Sequence, residues 1–178
     1  MLDERAQSPR RLLGKPLNQI MVCILDRPRH AKFIGALRKM GVRIKLIQDC
    51  DISGAIATCL DASGVDLLYG IGGAPEGVLA AAALRCIGGQ MQGRLVTVSA
   101  EQKERARKMG ITDFNKKFTL SDLASGDVMF AATGVTDGSL LRGVRFEREH
   151  ITTETVVMRS ATGTVRWIKN RRRADAGE

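Results

Sequence analysis

Aromatic residues are scarce in this 178-residue chain: five Phe, one Tyr and one Trp. That scarcity bears on the formal charge of +9. A basic surface that binds single strands needs aromatic faces on which bases stack, and too few are present to build one. Much of the excess charge is also local, in Arg10-Arg11 and in the tail Lys169, Arg171, Arg172 and Arg173. Those ends read as solvated segments, so nucleic acid is not an expected partner. Long apolar runs are missing too. Every hydrophobic stretch is broken by Gly, Asp or Arg well before the roughly 20 residues a membrane span requires, and MLDERAQSPRR at the start has no apolar signal core. A cytoplasmic protein with no membrane partner is the expectation. The four cysteines (Cys23, Cys50, Cys59, Cys86) form no Cys-x-x-Cys pair and have no histidine at zinc-ligand spacing. They read as reduced thiols, mostly in the core.

What is present is a repeated strand–loop–helix rhythm. After a polar start, Ile20 to Leu25 reads as a buried strand, DRPRH (residues 26–30) as a loop, and Ala31 to Met40 as a helix stopped by Gly41. Val42 to Ile47, the polar Gln48-Asp49-Cys50-Asp51 and Ile52 to Leu60 repeat the cycle. Val65 to Tyr69, the loop Gly70-Ile71-Gly72-Gly73-Ala74 and Pro75 to Cys86 make the third, with Pro75 suited to the first helical position. Strands joined by right-handed helical crossovers lie parallel and place their following loops on one edge of the sheet, where ligands of open α/β sheets bind. Further on, Met91 to Val98 is a predicted strand, Ala100 to Met109 a charged helix, Leu120 to Ala124 a helical turn and Val128 to Ala132 a buried strand. Val144 to Glu147, Thr152 to Arg159 and Thr164 to Ile168 complete a β-rich end, the last two joined as a hairpin through Ser160-Ala161-Thr162-Gly163.

The three converging loops carry the candidate chemistry. Arg27 and Arg29, separated by the rigid Pro28, suit an oxyanion such as phosphate; alternatively they are surface charges paired with carboxylates. Asp49 and Asp51 suit sugar hydroxyls or a cation, although Asp51, directly before Ile52, favours a helix-capping role. Gly70, Gly72 and Gly73 permit close backbone approach but match neither G-x-G-x-x-G nor a Walker A loop. Glu76 is either a first-turn carboxylate favoured by the helix dipole or a ligand for a hard divalent cation.

The stretches VCILDRPRH, IKLIQDCDISGAI, GIGGAPEGVLAAAALRCIGGQMQGRL, FAATGVTDGSLLRGVRF and VVMRSATGTVRWI resemble, in order, the C-terminal half of class II fructose-1,6-bisphosphatases. These are the lithium-sensitive, metal-dependent bacterial sugar phosphatases. The resemblance implies an α/β, layered sugar-phosphatase-like fold, with mostly parallel βα units followed by a β-rich C-terminal region. It divides the chain into a polar N-terminal segment (1–19), the phosphatase half (20–168) and a basic tail (169–178). It implies hydrolysis of the 1-phosphate of fructose 1,6-bisphosphate to fructose 6-phosphate in gluconeogenesis, with Mn²⁺ or Mg²⁺ as cofactor, in a homo-oligomer. By resemblance Arg27, Pro28, Arg29, Asp49, Cys50, Asp51 and Gly73 contact substrate and Glu76 binds metal. Two departures stand out. Cys50 occupies a position where the family pattern has glycine, and the family's other metal carboxylates lie in an N-terminal half absent from this sequence. The chain alone is therefore expected to be a truncated, inactive portion; the alternative is a non-catalytic sugar-phosphate-binding or dimerisation module.

Overall fold

The computed structural model describes residues 2–7, as backbone, and residues 14–174. Two sheets enclose a layer of helices. The first sheet has six strands in the order β3-β2-β4-β1-β5-β6: β1 (Leu2–Gln7), β2 (Met21–Leu25), β3 (Arg43–Ile47), β4 (Leu67–Gly72), β5 (Gln90–Leu95) and β6 (Phe118–Thr119). β2 runs parallel to both β3 and β4, as expected of successive βα units. The second sheet is antiparallel and holds β7 (Met129–Thr133), β8 (Arg145–Phe146), β9 (His150–Arg159) and β10 (Thr164–Arg173). The α/β layered architecture with a β-rich end is thus present.

The helices are α1 (Ala31–Lys39), α2 (Asp51–Ala57), α3 (Ala74–Ile87), α4 (Ala100–Lys108) and α5 (Leu120–Leu123). α3 lies between the sheets, which explains its composition: a helix buried on opposite faces must be apolar nearly all round. Ala80, Ala81 and Leu84 pack with Cys23, Leu68 and the α2 residues Ala55 and Ala57 beneath the first sheet. Ala83 and Cys86 pack with Ile56, Phe130, Val156 and Met158 beneath the second. Gly54 of α2 sits so close to the first sheet that a Cβ there would lie 2.9 Å from the Leu68 side chain. The opposite face of the first sheet carries α1, whose Phe33 meets Tyr69 of β4 edge-on with ring centroids 4.9 Å apart.

The expected elements are recovered with ends shifted by a few residues, and several details differ. β4 continues through Gly72, so Gly70 and Gly72 are strand residues rather than loop. Pro75 is the second helical residue, after Ala74. Of the two charged segments, Arg10-Arg11 lies outside the described residues, whereas the tail is structured through Arg173. Leu2–Gln7 pairs antiparallel with β4 and β5 on either side, and the tail continues β10 through Arg173, solvent-exposed but paired with β9. Among the cysteines, Cys23 and Cys86 are buried, whereas Cys59 is half-buried and Cys50 exposed; all are free thiols. Burial pushes the Cys23 thiol up to about 11, with nearby Lys45 opposing. No helix among the described residues is long and apolar enough to cross a membrane.

Candidate functional site

The loops following β2, β3 and β4 meet at one edge of the first sheet, and backbone contacts spanning long sequence separations hold them together. His30 is fully buried. Its Nδ1 lies 2.8 Å from the Leu25 carbonyl oxygen at the end of β2, and its Nε2 accepts the Ile71 amide of β4 at 2.9 Å. A carbonyl on one side and an amide on the other are both satisfied by the Nδ1–H tautomer alone. Arg29 then donates from Nε to the Ile71 carbonyl at 2.7 Å. The polar knot after a buried strand therefore has a structural half and an exposed half. His30 fastens it to β4, and Arg29 is anchored through Nε. Among the described residues, the two terminal amino groups of Arg29 have no hydrogen-bond partner, which leaves their planar fork available to an oxyanion. Pro28 opens the 3-10 turn Pro28–His30 between the arginines; its fixed φ suits that turn. Arg27 precedes the turn in extended conformation, half-buried and without an ion pair among the described residues.

Two carboxylates face the same space. Asp51 is buried, and a Cβ added to Gly72 would lie 2.6 Å from its Oδ2 and 3.6 Å from Oε2 of Glu76. A Cβ on Gly73 would lie 2.9 Å from that same Glu76 oxygen. The glycines after β4 thus leave room for carboxylates pressed against the backbone. Glu76 accepts the Gly73 amide at 3.0 Å, the arrangement of a first-turn carboxylate reaching back to its own helix start. Asp51 is the first residue of α2 rather than its cap; Cys50 occupies the cap position and provides no side-chain hydrogen bond there. Burial, then the charge of Glu76, raises the Asp51 carboxyl above its ordinary range, against the pull of the Asp51 and Ile52 amides and of Arg29.

Cys50 has φ 62° and ψ 68°, and it alone among the described non-glycine residues has positive φ. The left-handed conformation suited to glycine is therefore kept with a side chain present. Asp49 accepts the Cys50 amide at 2.7 Å, and Ser53 donates its hydroxyl to the Cys50 carbonyl at 2.7 Å, which fixes the turn. The structure thus brings Arg29, Asp51, Gly73 and Glu76 together, with Pro28, Asp49 and Cys50 as their supports. His30 is the residue that sequence reasoning passed over as a site determinant; its only signal was a lone histidine beside the two arginines.

The residues fit a hard divalent cation in part. Oxygen donors are the right chemistry, and the repulsion felt by Asp51 is what a cation would relieve. Such an ion takes about six oxygens, and no group of three or more His, Cys, Asp or Glu suited to a metal occurs among the described residues. Any remaining ligands must come from substrate, water or residues outside those described.

The loop after β7, Gly134 to Gly143, is tightly built. Asp137 accepts the Gly143 amide at 2.9 Å and pairs with Arg145 at 2.8 Å. A Cβ at Gly134 would collide with the Arg142 carbonyl. Leu140 and Leu141 join the cluster that contains Ile52 and Ile56 of α2, so the T-G-V-T-D-G motif is part of the packing beside the helix that begins at Asp51.

Comparison with known proteins is consistent with this arrangement. Residues 2–172 match the family described as bacterial fructose-1,6-bisphosphatase, glpX-encoded. The chain is 43% identical over 169 residues to the D-fructose 1,6-bisphosphatase class 2/sedoheptulose 1,7-bisphosphatase of Synechococcus sp. (strain JA-3-3Ab), covering 88% of this chain and 49% of that protein. It is 41% identical over 172 residues to fructose-1,6-bisphosphatase 1 class 2 of Escherichia coli (strain K12), covering 89% of this chain and 51% of that one. The chain spans about half the length of the curated relatives it matches. With the match extending over nearly every residue from β1 to β10, the chain belongs to the glpX-encoded bacterial fructose-1,6-bisphosphatase family.

Proposed function

We propose that this chain contributes the sugar-phosphate-gripping side of a phosphatase site that releases the 1-phosphate of fructose 1,6-bisphosphate, giving fructose 6-phosphate and phosphate. The observation that carries this reading is the convergence of the Arg29 fork with the Asp51 and Glu76 carboxylates at one sheet edge. In this reading Arg29, with Arg27 across Pro28, holds phosphate by charge-assisted hydrogen bonds. Asp49 and Asp51 accept from sugar hydroxyls, the Cys50 turn sets their spacing, and Gly73 allows the substrate close to the backbone. Glu76 would hold a divalent cation, Mn²⁺ or Mg²⁺, with Asp51 facing the same space. Such an ion supplies Lewis-acid polarisation of the phosphate and activation of water when bound. The reaction belongs to sugar-phosphate metabolism of the gluconeogenic type, in the cytoplasm, and a homo-oligomer remains the expected assembly.

The test joins this chain to the portion of a relative that it does not match and measures phosphate released from fructose 1,6-bisphosphate with Mn²⁺. Release that Glu76→Ala abolishes, and Arg27→Ala reduces less severely, supports the assignment. A folded, joined protein without turnover would overturn it. Robust Mn²⁺-dependent release by the 178-residue chain alone, lost in Glu76→Ala, would overturn the division of the site between two portions. The non-catalytic reading, in which the chain binds a sugar phosphate through the arginine loop, draws on the small number of carboxylates described at the site. It predicts tight binding without turnover in the joined protein.

A further inference from the structure

We infer that the outward face of the second sheet is the docking surface for the portion of the family's length that this chain does not match, whether that portion lies on the same polypeptide or on another. This rests on the reading that the site is completed by groups from outside the described residues. Alternation along the strands separates the two faces. Phe130, Val156 and Met158 point inward to α3; the residues between them point away. On the outward face Ala131 sits opposite Val157, Thr133 opposite Thr155, and Thr155 opposite Ile168. No helix among the described residues covers this face. Met129 is 72% exposed at one end of it and Phe146 is 79% exposed at the other. An apolar, β-branched sheet face open to water is the pattern of an interaction surface.

Three observations identify the occupant. The relatives carry about as much additional chain as is matched here, enough to cover a four-stranded face. The outward-facing charges of β9 and β10 are Arg159, Arg166 and Arg172, with no carboxylate on that face of these strands, so the partner surface should be apolar with an acidic rim. Finally, β10 is one edge of the sheet, β7 being the other, and its arginines and lysine are the usual protection against strand-to-strand pairing. On the β10 side that protection leaves the face, rather than the edge, as the place of attachment. A partner seated there would lie beside the Gly134–Gly143 loop, which packs with α2.

The experiment uses the full 178-residue chain and the unmatched portion of the Synechococcus relative, produced separately and titrated by calorimetry. The wild-type chain should bind, and Ala131→Asp and Ile168→Asp should each weaken binding at least tenfold while leaving thermal unfolding of the free chain unchanged. In a covalently joined protein, Ala131→Cys should react with a thiol reagent at least tenfold more slowly than in the free chain, as read by mass spectrometry at that site. This second measurement decides the matter where the separate portion does not fold. Binding insensitive to both substitutions, or equally fast labelling in the joined protein, would overturn the proposal. So would a dimer of this chain alone that Ala131→Asp disperses, because a second copy would then occupy the face. Phosphatase activity is scored separately: protection without turnover leaves the docking surface standing and removes the activity, whereas turnover without protection does the reverse.

Discussion

Replacing His30 tests the physical basis of the site most directly. Its ring is fully buried and bridges the Leu25 carbonyl and the Ile71 amide. In His30→Ala both groups lose their partner inside the fold, and each buried polar group left unsatisfied costs about 1–3 kcal/mol. The vacated ring adds a cavity term, giving a total of roughly 3–5 kcal/mol. For a chain of this size each kcal/mol lowers Tm by about 2–4 °C, so the fall should be roughly 6–20 °C. His30→Phe restores most of the ring volume and neither hydrogen bond, and should recover only the cavity part, leaving a loss of about 2–4 kcal/mol. The assay is thermal unfolding by circular dichroism, with hydrogen exchange at the Ile71 amide as a local probe. That amide should exchange faster in both variants. Because Ile71 also accepts from Arg29, affinity for a sugar phosphate should fall with stability in the phenylalanine variant. A Tm within about 2 °C of wild type in His30→Ala, equivalent to about 1 kcal/mol or less, would refute the claim that this ring fastens the loop after β2 to β4.

Arg29→Ala and Arg27→Ala should each weaken sugar-phosphate binding by about 1.5–3 kcal/mol, the scale of hydrogen bonds to charged groups; calorimetry with unchanged affinity in both would remove the loop from the site. Cys50→Gly exchanges a left-handed side-chain residue, costing about 1–2 kcal/mol, for one with greater unfolded-chain freedom, worth about 0.4–1 kcal/mol in the opposite direction. Stability should therefore hold or rise by up to about 1.5 kcal/mol, with substrate binding equal or better, and a lowered Tm would contradict the strain assigned to this turn. Asp51→Asn should be more stable than wild type at neutral pH, because the carboxyl's raised pKa means that its stabilising form is the protonated one, lost as pH rises through the folded-state value. The advantage should shrink on acidification towards the ordinary carboxylate range, and a gain that grows at low pH would reverse the sign of the argument.

The strands that bury apolar runs were legible from sequence because Met21–Leu25 and its successors have little polar surface to place elsewhere. α3 was legible because Pro75 stands in its first turn and its alanines suit burial on two sides; Gly88 closes it in the left-handed conformation. β1 was not legible. Leu-Asp-Glu-Arg-Ala-Gln has no strand periodicity, and its pairing with β4 and β5 is a backbone matter set by tertiary context. The far half of β10 was hidden for a related reason: Lys169 to Arg173 reads as a solvated charge run, and the side chains are indeed exposed, yet the backbone pairs with β9. The meeting of the three loops followed from parallel topology. What topology could not supply was the seating of the Asp51 and Glu76 carboxylates against Gly72 and Gly73, glycines read from sequence only as permitting close backbone approach.

The departures from local preference collect at that same edge. Cys50 holds a backbone conformation that favours glycine, and Asp51 keeps a carboxylate buried beside another. Gly72 tolerates no side chain without displacing Asp51. Elsewhere the chain is locally consistent: α3 is capped at both ends, Asp66 at the start of β4 accepts the Met21 amide and pairs with Lys15, and Thr119 and Asp122 cap α5 reciprocally. A chain selected for stability alone would replace Cys50 with glycine and neutralise Asp51. The charge conflict at Asp51, within reach of an arginine fork anchored through Nε, is what the proposed cation and phosphate site would relieve; the strain at Cys50, where the family pattern has glycine, is not needed for it. The stability gained by Asp51→Asn and lost by His30→Ala would therefore have opposite signs while both weaken ligand binding, a pairing that a purely structural cluster would not produce.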